Sequence, residues 1–449
     1  ALVGVLDLSP WPAAPWTEDV IQMLLDKSLL VRSGKRLHMY ESIRAYAAER
    51  LEDMAADDHA VAETPSRHAA FFAKLGTPTY LAALHGPLMI QRVSQLTEEL
   101  ENLQTGLDVA VEEHNAPVAA ALAAAVLALT DLKGPYRYGI ELADRVLAMG
   151  GLSDTDTQRL ESGAGILMRQ ATLFDDATRR LSRAMTLAQG LGDTEAEARA
   201  LLELGNIHGF RAQNDAALSR YDQALALVRE VGARWLQGLI LGTKGTLLAE
   251  AEERESAQAC FERSLAIARE VGDRRQESWQ LSNLAVVRWQ LGDISQAKEA
   301  FETALDLSIK INDVRSEAIN RYNLADLALE QGDHDRSVAL YAEALAMLRK
   351  IGARTEQALL LQDRCRLWLD MGEADRARLD LRSAVTIYDD IGMAHRNVEL
   401  RLRLAELALD HGQADAAVGL VAAIREGAGQ DQEVLERLEA LERRLDTKA

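Results

Sequence analysis

A turn signal recurs every 40 residues through the second half of the chain, and no other feature restricts its fold as strongly. Leu191-Gly192-Asp193, Val231-Gly232-Ala233, Val271-Gly272-Asp273, Ile311-Asn312-Asp313, Ile351-Gly352-Ala353 and Ile391-Gly392-Met393 keep this interval without slip. Each pairs an apolar residue with Gly or Asn, the residues that tolerate a left-handed helix C-terminus. Asp193, Asp273 and Asp313 then stand where they can cap the next helix. A second turn lies half a period away, at Gly292-Asp293, Gly332-Asp333, Gly372-Glu373 and Gly412-Gln413. Each unit is therefore predicted to be two helices of about 17 residues joined by short turns. All eight prolines fall at or before Pro135. Because proline breaks helix interiors, and Ala, Leu, Glu and Arg favour helix, the rest of the chain is predicted to be all α.

Within the unit a small residue recurs in the first helix: Gly165, Gly205, Gly245, Ala285, Ala325, Cys365 and Ala405. Twelve residues later stands Ala177, Ala217, Ala257, Ala297, Ser337, Ala377 or Ala417, and four beyond that Leu181, Tyr221, Phe261, Phe301, Tyr341, Leu381 or Val421. Small residues let helices approach, and the large one fills the gap between neighbours. At these offsets the pattern resembles the tetratricopeptide repeat (TPR), over about residues 153–426 with a divergent unit at 115–152. The period of 40 is similar to that of kinesin light chain and of bacterial peptide-sensing regulators. The resemblance implies a right-handed superhelix. Residues 427–449 are expected to hold a polar capping helix with Leu435, Leu438, Leu441 and Leu445 on one face.

The first 114 residues differ. Asp19–Leu30 reads as an amphipathic helix, Val31–Tyr40 as a hairpin turning at Ser33-Gly34, and Glu41–Met54 as a second helix. The run Leu25-Asp26-Lys27-Ser28-Leu29-Leu30, followed by Arg36-Leu37-His38-Met39-Tyr40-Glu41-Ser42-Ile43-Arg44-Ala45-Tyr46, resembles the winged-helix end of the nucleotide-binding module in STAND signalling ATPases. Arg67-His68-Ala69-Ala70-Phe71-Phe72 and Glu99-Leu100-Glu101-Asn102-Leu103 resemble the helical linker joining that module to a TPR sensor. The resemblance implies a winged-helix-like segment at 1–55, a linker at 56–114, and an ATPase domain upstream of Ala1. The chain itself has no G-x-x-x-x-G-K-[ST] loop; Gly242-Thr243-Lys244-Gly245-Thr246 lacks the adjacent Gly-Lys pair and falls inside a repeat helix.

Composition removes several function classes. The formal charge is −20, with no clustered positive segment to meet phosphates, so nucleic acid is not an expected partner. Nor is a membrane, since no stretch is expected to approach the roughly 18–20 uncharged apolar residues of a spanning helix. Two cysteines, Cys260 and Cys365, give no disulfide framework, as expected in a reducing cytoplasm. Nine histidines show no zinc spacing, and there is no G-x-S-x-G elbow. No enzyme chemistry, metal or cofactor is expected.

What remains is the concave groove. In TPR arrays, positions −6, −3, −2, +1, +4 and +5 from the small residue face it. Around Ala285 these are Trp279, Ser282, Asn283, Val286, Trp289 and Gln290; around Ala325 they are Ile319, Tyr322, Asn323, Asp326, Leu329 and Glu330. Asn206 and Arg366 hold the +1 position in their units. Asn283 and Asn323 lie one period apart in Asn-Leu-Ala contexts similar to those whose Asn grips peptide backbone in the kinesin light chain and quorum-peptide receptor families. An amide offers donor and acceptor, so a ladder of them can hold an extended peptide, with Trp and Tyr as anchors. The alternative is that these asparagines bridge adjacent helices. Lys244, Arg288 and Arg364 break the inward apolar pattern, and long side chains of this kind can snorkel past packed helices. Asn206, Trp279, Asn283, Trp289, Tyr322, Asn323 and Arg366 are thus the candidate ligand contacts. The expected function is a sensor arm that binds a peptide or protein effector and signals to its own ATPase domain; the alternative is a stand-alone interaction scaffold.

Overall fold

A computed structural model of the chain describes residues 17–33, 36–55, 62–410, 414–427 and 432–446. From Asp154 the chain runs as paired helices of 17 and 18 residues: Asp154–Gln170 with Phe174–Leu191, Thr194–Phe210 with Asn214–Val231, Arg234–Glu250 with Arg254–Val271, Arg274–Gln290 with Ile294–Ile311, and Val314–Glu330 with His334–Ile351. Arg354–Asp370 with Ala374–Asp390 and Ala394–Asp410 with Ala414–Gly427 complete the series. The expected turns are present. Gly192, Gly232, Gly272, Asn312, Gly352 and Gly392 all take positive φ, between 62° and 80°. The carboxylates of Asp193, Asp273 and Asp313 accept from the backbone N–H three residues on, at 2.9, 3.0 and 3.1 Å. Half a period away, Gly292, Gly332 and Gly372 are also left-handed; the fourth expected turn, at Gly412, lies outside the described residues.

In the earlier units that same turn is left-handed without glycine, at Thr172, Ala212 and Glu252, with φ of 63°, 56° and 62°. A Cβ makes this conformation costly. Ala212→Gly is therefore expected to raise stability by about 1 kcal/mol, read as a higher urea midpoint; a lower midpoint would contradict the strain.

The small positions work as the spacing implied. A Cβ placed on Gly205 would lie 2.6 Å from the Tyr221 ring, and one on Gly245 would lie 2.7 Å from Phe261. Later units use Ala285 and Ala325, both fully buried, with buried Phe301 and Tyr341. Gly205→Ala is expected to cost about 1–3 kcal/mol through overpacking, measured by denaturant titration.

Before the repeats, helix Thr17–Asp26 leads into a two-stranded antiparallel hairpin, Val31–Ser33 with Arg36–His38, and then helix Glu41–Ala55. The hairpin tip at Gly34 lies outside the described residues. Helices Thr64–Ala73, Met89–Glu98, Leu100–Glu112, Ala116–Lys133 and Tyr136–Ala148 follow, with the short helix Pro78–Ala82 between the first two. Ala116–Lys133, although it carries Asp131 and Lys133, is by length and composition apolar enough to cross a membrane. Its side chains are spent on the protein core instead: Leu122, Val126 and Leu129 are buried among helices Thr64–Ala73, Leu100–Glu112, Tyr136–Ala148 and Asp154–Gln170.

These N-terminal helices fold back onto the middle of the array. Ala116–Lys133 touches Val314–Glu330, and Met89–Glu98 touches Ile294–Ile311. One apolar cluster runs from Phe72, Leu103 and Tyr136 through Leu181 to Ile311, Ile351 and Tyr341. Pro87 packs over Gly272, and Arg159 donates to the Gly76 carbonyl at 2.6 Å. At the other end, Gln432–Asp446 lays Leu438, Leu441 and Leu445 onto Leu402, Leu409 and Ile424 of the last pair, covering an apolar face that has no further repeat to bury it.

Candidate functional site

Where the N-terminal helices meet the array they roof a cavity of about 260 Å³. Its wall comes mainly from the first helices of five successive units, with His85 and Asp131 contributed from the roof. In the unit of Gly205 all six inward offsets line it: Arg199, Leu202, Glu203, Asn206, Gly209 and Phe210. The periodicity thus gives the correct helix face, since residues three and four apart share one side. The cavity, however, is centred on the units of Gly205 and Gly245, earlier than the Ala285 and Ala325 units singled out from the sequence.

The seven candidates separate accordingly. Asn206, Trp279 and Asn283 line the cavity. The Asn206 amide is already engaged: it donates to Glu203 at 3.1 Å and accepts from the Tyr221 hydroxyl at 2.9 Å, a phenol whose pKa burial pushes up. Trp279 donates its indole N–H to Ser316, and the Arg275 guanidinium lies 5.2 Å from its ring centre. Asn283 faces the cavity with no side-chain hydrogen bond among the described residues. Asn323 instead donates to Ser282 at 3.2 Å across neighbouring units, which is the bridging alternative. Trp289 lies away from the cavity wall and donates to Glu330.

Tyr322 and Arg366 belong to a second polar cluster, further along the array. There Tyr322 donates to Asp363, Tyr341 donates to Asp326, and exposed Arg366 stands 4.0 Å from Asp326. Burial, then the neighbouring Asp363 charge, pushes the Asp326 carboxyl up to about 7 against the pull of Tyr341 and Arg366.

Of the three inward charges, Lys244 reaches Asp222 at 2.6 Å. Arg364 forms a bidentate pair with Asp380, at 2.8 Å for both bonds, shared with the Trp368 indole. Arg288 is exposed.

The electrostatic frame of the cavity lies in residues that the sequence marks at most as helix caps. Arg275 donates to Asp131 at 2.6 Å and to Asp313 at 2.9 Å, tying the roof to two units. Burial alone would raise the Asp131 pKa, but the Arg275 charge outweighs it and holds the carboxyl below its ordinary value. Arg169 pairs with Glu203 at 2.6 Å. The His85 ring stacks on Trp235 at 3.9 Å and its Nδ1 lies 3.6 Å from Asp273. Two glycines of helix Arg234–Glu250, Gly238 and Gly242, give room to the amides of Gln276 and Gln280, which a Cβ would meet at 2.9 and 2.3 Å. Such a wall presents amides, guanidinium and indole faces, and so can bind polar ligands by hydrogen bonding and stacking.

Comparison with known proteins agrees with this architecture. The tetratricopeptide repeat family model matches residues 236–310 and 278–350. No curated protein sequence matches the chain. Among solved structures, a Rap protein complexed with competence and sporulation factor superposes with a TM-score of 0.56 at 13% identity, covering 86% of this chain and all of that one. The Rap conjugation gene regulator of plasmid pLS20, in complex with the Phr* peptide, gives 0.53 at 13% identity over 63% of this chain and 76% of that one. The Cut9–Hcn1 assembly of the APC/C gives 0.52 at 10% identity over 76% and 60%. At these identities the likeness concerns the fold, and the fold of this chain is a tetratricopeptide-repeat superhelix.

Proposed function

We propose that the chain is a non-enzymatic, cytoplasmic sensor arm that binds a peptide or protein effector on its concave face and relays occupancy through its N-terminal helices to a STAND-type ATPase domain. One observation carries the reading: the cavity wall is shared between the repeats and the roof, through Asp131 and His85, so an occupant touches the segment that leads toward the N-terminus. The Rap structures crystallised with a signalling factor and with a peptide support a peptide as the effector class. The hairpin between helices Thr17–Asp26 and Glu41–Ala55 supports a winged-helix-like segment at 1–55.

The two asparagines test the site. With a peptide selected from a random heptapeptide library on the full chain, Asn283→Ala is expected to weaken binding by about 1–3 kcal/mol at unchanged melting temperature. Asn323→Ala is expected to lower the melting temperature, because it releases Ser282. Loss of stability with intact affinity in Asn283→Ala would remove this residue from the site.

A further inference from the structure

Three of the four arginines on the cavity wall are matched by carboxylates: Arg169 by Glu203, Arg275 by Asp131, and Arg315 by Glu356. Arg199 is different. It forms no ion pair among the described residues, its Nε is buried without an acceptor, and its guanidinium lies 5.7 Å from the Trp235 ring centre. On the same wall the Gln280 residue is 1% exposed, and among the described residues its Oε1 receives no hydrogen bond. Gln276, 3% exposed, likewise has an Oε1 without a donor. Buried polar atoms are nearly always partnered. An orphaned cationic donor and orphaned carbonyl acceptors on the wall of one cavity therefore describe a ligand that carries both an anionic acceptor and an N–H donor.

The charge balance narrows the class. The wall carries four arginines and four acidic side chains, so it favours a ligand of small net charge over a polyphosphate. Arginine meets a carboxylate through parallel N–H donors. The cavity, at about 260 Å³, lies just below the roughly 300–1,000 Å³ of drug-sized pockets, which suits one or two residues. We propose that Arg199 and Gln280 form a subsite for a carboxylate bearing an N–H on its α-carbon, supplied by the C-terminal residue of a peptide or by a free α-amino acid. Arg199 takes the carboxylate and the Gln280 carbonyl takes the N–H. The inference rests on the reading of this cavity as the effector site.

Affinity selection on the full chain separates the possibilities, with three probes: an N-acetylated tetrapeptide library with free C-terminal carboxylates, the same library amidated, and a mixture of the twenty free amino acids. Carboxylate-bearing members are expected to be retained roughly tenfold or more above amidated ones, Arg199→Gln to abolish that preference, and Gln280→Leu to lower retention of both libraries, since each carries the α-carbon N–H. Retention of amino acids alone, dependent on Arg199, supports the subsite and removes the peptide reading. Equal retention of the two libraries overturns the subsite and leaves the peptide reading standing. No retention of any probe overturns both. Should Arg199→Gln fail to fold, the carboxylate-to-amide comparison on the unmutated chain still decides.

Discussion

Replacing Arg275 with methionine is expected to destabilise the chain by about 3–5 kcal/mol, the cost of leaving buried charge unpaired. The Arg275 side chain is 16% exposed and sits between Asp131, 20% exposed, and Asp313, fully buried. Burial works against the guanidinium charge, but the two carboxylates outweigh it and hold its pKa above the ordinary value. Removing the guanidinium leaves both acids without this cationic partner and removes one of the ties between roof and repeats. The pH dependence follows from Asp131, whose folded pKa is depressed. Its contribution is present above the unfolded value of about 3.9 and is lost as pH falls through the lower folded value. The difference between wild type and Arg275→Met is therefore expected to be full at pH 7 and to shrink below about pH 4. Urea titrations at both pH values check this; an unchanged midpoint at pH 7 would remove the clasp from the account.

Asp326→Asn is expected to act in the opposite direction. The Asp326 carboxyl, raised to about 7 from 3.8, keeps a proton in the folded chain that the unfolded chain releases. Wild-type stability should therefore fall as pH rises from about 4 to about 7 and level off above. A shift of this size corresponds to roughly 4 kcal/mol at most. Asparagine still offers an oxygen to the Tyr341 hydroxyl but carries no charge. The variant should lose that part of the pH slope and exceed wild type at pH 8 while matching it near pH 4. Asp363, also raised by burial, keeps a residual slope in the variant. Identical profiles for the two proteins would contradict the assignment.

The repeat architecture was legible because its determinants are local. Left-handed turns at Gly192 through Gly392, aspartate caps, and small residues beneath Tyr221 and Phe261 all act within one unit or between neighbours. The inward face was legible too, since six offsets from Gly205 line the cavity. Its place along the array was not. That depends on where the N-terminal helices dock, and the contacts of Arg275 with Asp131 and of His85 with Trp235 join residues 144 and 150 positions apart. No periodicity reports such a pairing. The asparagine pair shows the same limit: Asn283 and Asn323 have equivalent sequence contexts, yet among the described residues only Asn323 finds a side-chain partner, in Ser282. Ala116–Lys133 passes for a spanning helix because an Ala-rich helix buried on most sides has a similar composition.

Hydrogen exchange tests the central claim most directly, comparing the free chain with the chain saturated by a peptide retained from the random library. Protection is expected in Thr194–Phe210, Arg234–Glu250 and Arg274–Gln290, and also in the roof around His85 and in Ala116–Lys133. Protection confined to the units after Arg354, with these helices and the roof unchanged, would contradict it.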